Sequence, residues 1–384
     1  MDQTQFPVFS EFKEKSLYRR YITNRHIEPL LLQLGDRFQV NIEEYSVLDV
    51  PIYSVKVGTG PIKVLLWSQM HGNESTTTKS LFDVFKVLAS QLEFADTLLS
   101  NCTLYIVPIL NPDGAKAYTR LNANEVDLNR DSKELSQPES ALLRRLFDEF
   151  KPDYCFNLHG QRTIFSAGKS NKPATVSFLS PAEDEERTVT ATRQKAMDII
   201  GEMNKYLQDY IPNQVGVYDD TFNINCVGDM FQSLGVPTVL FEAGHYYDDY
   251  VREKTREYIF ISMLSGLHYI ATKPQIGNDF ERYFDIPQNE KLFYDVIIRN
   301  ALVEKDGEWI NNDIAIQFRE ILLEERIEFV PKIEKIGGLN EYFGHKEINA
   351  SNIKVLTHNY KSVFEGYEND FVVIGNEEKV LKTL

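Results

Sequence analysis

The chain has 384 residues, 42% of them hydrophobic, and a formal net charge of −16. That length and apolar content suit one large folded domain with a smaller one beside it, and set aside a disordered chain. The acidity argues against nucleic acid and against an anionic membrane surface as partners, because each repels a surface of its own sign. Cys102, Cys155 and Cys226 are odd in number and form no C-x-x-C pair, so buried thiols in a reducing compartment are expected rather than a disulfide framework. Met1 to Phe6 lacks a basic segment followed by an apolar core, and no apolar stretch is long enough to span a bilayer. A soluble, cytoplasmic protein without a secretory signal is therefore expected.

Four short apolar runs stand out in the first two thirds of the chain. They are Val64-Leu65-Leu66-Trp67, Leu104-Tyr105-Ile106-Val107, Tyr154-Cys155-Phe156 and Thr238-Val239-Leu240-Phe241. Continuous apolar character predicts strands buried on both faces. Helical spacing alternates with them. Leu81, Val84, Phe85 and Leu88 mark one helix. Leu142, Leu143, Leu146 and Phe147 mark a second, with Ser136 as its expected N-cap and Pro138 in its first turn. Val189 to Leu207 and Tyr258 to Ile270 predict two more. The alternation predicts an α/β fold: a mixed, mostly parallel sheet with helices on both faces.

The composition changes at Thr272-Lys273-Pro274-Gln275-Ile276-Gly277, which reads as a linker. Beyond it, Ile314, Ile316 and Phe318 alternate with polar residues, Asp306-Gly307 signals a tight turn, and Phe371 to Ile374 reads as a strand. Two domains are expected, a larger one over residues 1–273 and a small β-rich one over 278–384.

Each of the four buried runs is followed by polar residues. His71-Gly72-Asn73-Glu74 follows the first, Asn111-Pro112-Asp113-Gly114 the second, His159 the third and Glu242 the fourth. Open α/β sheets bind ligands at the carboxyl ends of their strands, so these clusters are expected to converge. His71 and Glu74, three apart on a turn entering a helix, point the same way, and an imidazole with a carboxylate suits Zn²⁺. His159 completes a three-ligand site. Alone, His71-x-x-Glu74 carries little weight, since a first-turn acid and a loop histidine are common.

The longest motif is Arg120-x-Asn122-Ala123-Asn124-x-Val126-Asp127-Leu128-Asn129-Arg130. With His71-x-x-Glu74, Asn111-Pro112-Asp113-Gly114, Leu158-His159 and Phe241-Glu242 in that order, the sequence resembles the zinc carboxypeptidases, the carboxypeptidase A-like metallocarboxypeptidases. The likeness spans roughly residues 45 to 270. It implies a zinc-dependent peptide hydrolase that removes the C-terminal residue of a peptide. By the same resemblance His71, Glu74 and His159 hold Zn²⁺, and Glu242 is the general base. Arg120 stabilises the oxyanion, Asn129 and Arg130 grip the substrate's terminal carboxylate, and Asp127 orients His71. Tyr218 is the candidate for the family's mobile tyrosine, which closes over the substrate. The side-chain pocket is expected around Cys226 to Met230, where Asp229 is either a selector or a structural neighbour.

Two alternatives accompany this reading. One is a zinc deacylase acting on N-acyl amino acids, like the aspartoacylase and succinylglutamate desuccinylase group, since Asn129-Arg130 suits any substrate with a free carboxylate. The other is an inactive relative that only binds; such a chain is expected to lose a ligand or Glu242, and this one keeps them. Asn111-Pro112-Asp113-Gly114 is expected to be a plain turn, and His245, His26, His268, His345 and His358 structural.

Overall fold

A computed structural model describes residues 6–382. The stretch read for a leader, Met1 to Gln5, lies outside the described residues. The chain divides into two compact units. One comprises the chain up to Gln161 together with Ala174–Asn289, and the other comprises Arg162–Pro173 together with the chain from Glu290 onward.

The strands in chain order are β1 (Phe38–Tyr45), β2 (Pro51–Val57), β3 (Ile62–Ser68), β4 (Cys102–Val107), β5 (Tyr154–Gly160), β6 (Phe165–Ala167), β7 (Val176–Leu179), β8 (Val215–Val217) and β9 (Thr238–Ala243). All but β6 form one eight-stranded sheet in the order β1-β2-β4-β3-β5-β9-β7-β8. The central strands β4, β3, β5 and β9 run parallel. β1 and β2 pair antiparallel at one side, and β7 pairs antiparallel with β9 at the other. The expected α/β class with a mixed, mostly parallel sheet is borne out, and each of the four apolar runs lies within a central strand.

The helices are α1 (Phe9–Phe12), α2 (Asn24–Leu31), α3 (Thr76–Ala89), α4 (Glu93–Asn101), α5 (Pro112–Ala117), α6 (Pro138–Phe150), α7 (Ala191–Gln208), α8 (Val227–Ser233) and α9 (Glu253–Thr272). They cover both faces of the sheet. Val64, Leu66, Phe156, Leu158, Val239 and Phe241 pack on one side with residues of α2, α3, α4, α7 and α9. Leu65, Trp67 and Cys155 pack on the other with α6 and α8. Side chains alternate across a strand, so Asn157, His159, Leu240 and Glu242 all belong to the α6/α8 face. α6 begins one residue later than expected. Gln137, not Ser136, stands at its N-cap, and the Asp131 carboxylate takes the amides of both. Pro138 at the first position fixes this start, where its missing N–H costs nothing.

The segment expected to be a linker is tied to α7 instead. The amides of Gly277 and Asp279 reach the buried Asp198 carboxylate, and Arg282 pairs with Asp198 and Glu202. The division of the chain accordingly falls after Asn289.

The second unit is a β structure of β10 (Asn289–Lys291), β11 (Phe293–Lys305), β12 (Glu308–Leu323), β13 (Arg326–Gly337), β14 (Phe343–Leu356), β15 (Phe371–Ile374) and β16 (Glu377–Val380). Its curled six-stranded sheet runs β13-β12-β11-β14-β15-β16, and β6 pairs with β10. Asp306 and Gly307, both at positive φ, make the tight turn between β11 and β12, as a two-residue hairpin requires. Residues 162–173 belong here because Thr163 is held from both sides: Gln317 Nε2 donates to its hydroxyl at 2.7 Å, and His345 Nε2 lies 2.8 Å from its carbonyl. Among the described residues, no helix is long and apolar enough to cross a membrane.

Candidate metal centre and active site

The turn between β3 and α3 carries the first two candidate ligands. Gln69, at φ +50°, holds it: its Nε2 donates to the carbonyls of Ile22 and Gly72, and its Oε1 accepts from Thr78. The turn rests against Asn111-Pro112-Asp113-Gly114. A Cβ on Gly72 would lie 1.9 Å from the Gly114 carbonyl carbon, and one on Gly114 would lie 2.6 Å from the Leu121 carbonyl. Asn111 caps α5 through Gly114 N–H and donates to the Met70 carbonyl. The Asn-Pro-Asp-Gly segment is thus more than a turn; it is the seat of the His71 loop.

His71 and His159 are each 2% exposed. His71 Nδ1 lies 3.0 Å from Glu74 Oε1, and His159 Nδ1 lies 3.1 Å from both Glu74 Oε2 and His71 Nδ1. Among the described residues these three form the only cluster of three or more such side chains placed to hold a metal ion. The donor set fits zinc. Two Zn–N bonds of about 2.0–2.1 Å at a tetrahedral angle put their nitrogens about 3.3 Å apart, close to the separation seen. The Gly160 amide fixes Glu74 by donating to Oε2 at 2.9 Å.

Asp127 holds His71 from behind, its Oδ1 3.1 Å from Nε2. That contact places the imidazole proton on Nε2 and leaves the Nδ1 lone pair toward the cluster. Burial opposes a charge on His71, but Glu74 and Asp127 outweigh it and hold its pKa above the ordinary value. Burial also works against Glu74 and Asp127, yet His71 and His159 keep the Glu74 carboxyl, and His71 with Arg120 the Asp127 carboxyl, well below the usual range. For His159 burial wins over Glu74, and its pKa is lowered. Asp127→Ala is expected to weaken metal binding about 10–100-fold, measured by competition with a chromophoric chelator; an unchanged Kd would remove Asp127 from the site.

The motif from Arg120 to Arg130 is shaped by Asn122. Its Oδ1 accepts the amides of Asn124 and Val126, while its Nδ2 donates to Gln137 and the buried Glu139. The loop returns Arg120 to the cluster, 3.0 Å from Asp127 Oδ2 and 3.7 Å from Glu74 Oε1. Asn129 Oδ1 accepts from the Val227 amide at the start of α8, and Arg130 Nη1 donates to the Asn129 carbonyl. Asp229, in the first turn of α8, is pushed up to about 6 by burial, against the pull of the Asn223 amide and Arg130.

Glu242 is the register partner of His159 across β5 and β9, on the same face. Its Oε2 is buried and makes no hydrogen bond. Burial first, and the Glu74 charge second, raise its pKa well above normal, although Arg120 and Arg252 oppose them. Tyr218 directly follows β8, and its hydroxyl donates to Gln161 Oε1 at 2.7 Å. His245 is buried against Tyr250, outside the cluster.

Gln161 and Arg252 escaped the reading of the sequence. Arg252, at φ +60°, donates to the Ala243 carbonyl at 2.7 Å and to the Gln161 carbonyl at 2.9 Å, joining the ends of the strands that carry Glu242 and His159. Arg252 stands ten residues beyond Glu242, and no spacing marks it.

The fold and this site define an α/β protein in which, among the described residues, one His-Glu-His group that could hold a metal ion stands at the carboxyl ends of the central strands. The zinc carboxypeptidase family profile matches residues 36–232, ending before Glu242. The chain belongs to the zinc carboxypeptidase family. Carboxypeptidase 2 of Trichophyton rubrum is 30% identical over 113 residues, which cover 29% of this chain and 20% of that protein. The aligned stretch thus spans about a fifth of the length of such curated relatives. Among solved structures, a metallo-carboxypeptidase from Burkholderia cenocepacia superposes with a TM-score of 0.50 at 18% identity, covering 64% of this chain and 69% of that one. The carboxypeptidase A of Helicoverpa armigera does so with 0.50 at 15% identity, over 69% and 79%. At such identities these two share the fold.

Proposed function

We propose that the protein is a zinc metallocarboxypeptidase that hydrolyses the C-terminal peptide bond of peptides with a free carboxylate. The observation that carries this reading is the register of β5 and β9, which sets Glu242 beside His159 at the edge of the three-donor cluster. His71, Glu74 and His159 would hold zinc, which when bound supplies Lewis-acid polarisation and an acidified water.

Glu242 is the general base. Its raised pKa lets it keep a proton taken from water and then deliver it to the leaving amine. Arg120, 45% exposed at its side chain, faces the open side of the cluster and stabilises the developing oxyanion. Asn129 and Arg130 receive the terminal carboxylate. The Asn129 side-chain oxygen, Oδ1, is already engaged by the Val227 amide, so its Nδ2 is the end available to an anion. A planar guanidinium meets a carboxylate on two atoms. Asp229 stands by the expected side-chain pocket as a buried neighbour of Arg130. These groups lie in the first unit, and the β-rich unit is accessory to them.

The family match favours the peptidase over the deacylase of N-acyl amino acids. The test is a panel of free and C-terminally amidated peptides and N-acyl amino acids, read by mass spectrometry. Loss of one C-terminal residue is expected from free peptides, with amidated ones slower by at least about 100-fold. Preferential cleavage of N-acyl amino acids would establish the deacylase, and no turnover of any substrate by zinc-loaded protein would establish the inactive binder.

A further inference from the structure

Gln161, two residues beyond His159 and 7% exposed, has every polar group engaged. Its amide donates to the Ala243 carbonyl, and its own carbonyl accepts from Arg252. Its side-chain Nε2 donates to the Ala174 carbonyl at 2.7 Å and lies 3.2 Å from Ser177 Oγ. Its Oε1 faces the Tyr218 hydroxyl at 2.7 Å and Asn289 Nδ2 at 3.3 Å. A backbone carbonyl only accepts, so the contact to Ala174 settles which end of the carboxamide is nitrogen. The other end is then oxygen, and the Tyr218 hydroxyl must donate to it.

The network sits beside the proposed base. Ser177 is the register partner of Glu242 across β7 and β9, and Asn289 Nδ2 donates to the Ser177 hydroxyl at 3.0 Å. The backbone of Tyr218 is fixed as well, its amide donating to the Phe178 carbonyl. A swinging lid needs a phenol that leaves its rest position cheaply, whereas this part-buried hydrogen bond must be broken first.

We propose that Gln161 is a positioning residue that latches the Tyr218 phenol in place beside Glu242 before substrate arrives, so that Tyr218 acts as a pre-set wall of the site rather than as a mobile lid. This rests on the peptidase reading for its kinetic consequence, but the latch is a property of the free protein. It is tested by tetranitromethane nitration of Tyr218, followed by peptide mapping, in metal-free and zinc-loaded protein without substrate. Slow nitration is expected in the wild type. Gln161→Met keeps the side-chain length without the hydrogen bonds and is expected to speed nitration about tenfold.

With a peptide substrate, Gln161→Met and Tyr218→Phe should each lower kcat/KM about tenfold, mainly through KM, and the double variant should lose no more than either. Gln161→Asn, one methylene short of the phenol, carries the same prediction should Gln161→Met fail to fold. Fast nitration of Tyr218 in the wild type overturns the latch. So does an unchanged nitration rate in a folded variant, or additive losses in the double variant. Because nitration needs no turnover, inactivity on peptides would sink the peptidase reading and leave the latch standing.

Discussion

Replacing Glu242 by glutamine is expected to lower kcat on a peptide substrate about 10³-fold while leaving the metal content unchanged. The carboxamide has nearly the same shape, and Glu242 is not among the three clustered donors. What is lost is the ability to accept a proton beside His159. Steady-state kinetics with metal analysis of the same preparation decides it: full turnover would mean that another group is the base, and loss of metal would mean that Glu242 helps to hold the cluster. The same substitution has a stability signature. Burial raises the Glu242 pKa above that of the unfolded chain, roughly 4.3. A group shifted upward on folding contributes stability below its unfolded pKa and loses it as pH rises. At neutral pH, metal-free Glu242→Gln should therefore melt no lower than metal-free wild type, and the variant's relative advantage should shrink as the pH is lowered toward 4.

Chelation is expected to abolish hydrolysis, and zinc to restore it at about one ion per chain. Two buried imidazoles and a carboxylate with donor atoms 3.0–3.1 Å apart are held together without solvent to separate them. A cation bound only by the folded chain adds about 4 kcal/mol of stability at a thousandfold excess over Kd. Differential scanning calorimetry should show a higher Tm for zinc-loaded protein, and His159→Ala should lose both the shift and the activity. Activity that survives exhaustive chelation, with no metal detected, would overturn the mechanism.

Much of the framework was legible because its signals are local. Val64 to Trp67 or Thr238 to Phe241 can be buried on both faces only at the centre of a covered sheet, and strand ends are where such sheets gather polar groups. The set His71, Glu74, Arg120, Asp127, His159 and Glu242 was readable through the resemblance of its ordered motifs to the zinc carboxypeptidases. Ser136 was misplaced as a helix cap because Asp131, five residues upstream, captures its amide and that of Gln137. The 272–277 stretch read as a linker because its composition is polar; its attachment to Asp198, some 80 residues earlier, leaves no trace in composition.

The sequence by itself determined the class of sheet, which follows from residue type and near-neighbour spacing, while its ordered motifs pointed to His71, Glu74, His159 and Glu242 through their resemblance to the zinc carboxypeptidases. Only the tertiary structure decided how those groups are held. Gly72 must be bare because Gly114 lies against it, His71 is turned by Asp127, and Tyr218 is tied to Gln161. These are contacts between residues 42, 56 and 57 positions apart. Packing brings such residues together at a cost in chain entropy that no local pattern records.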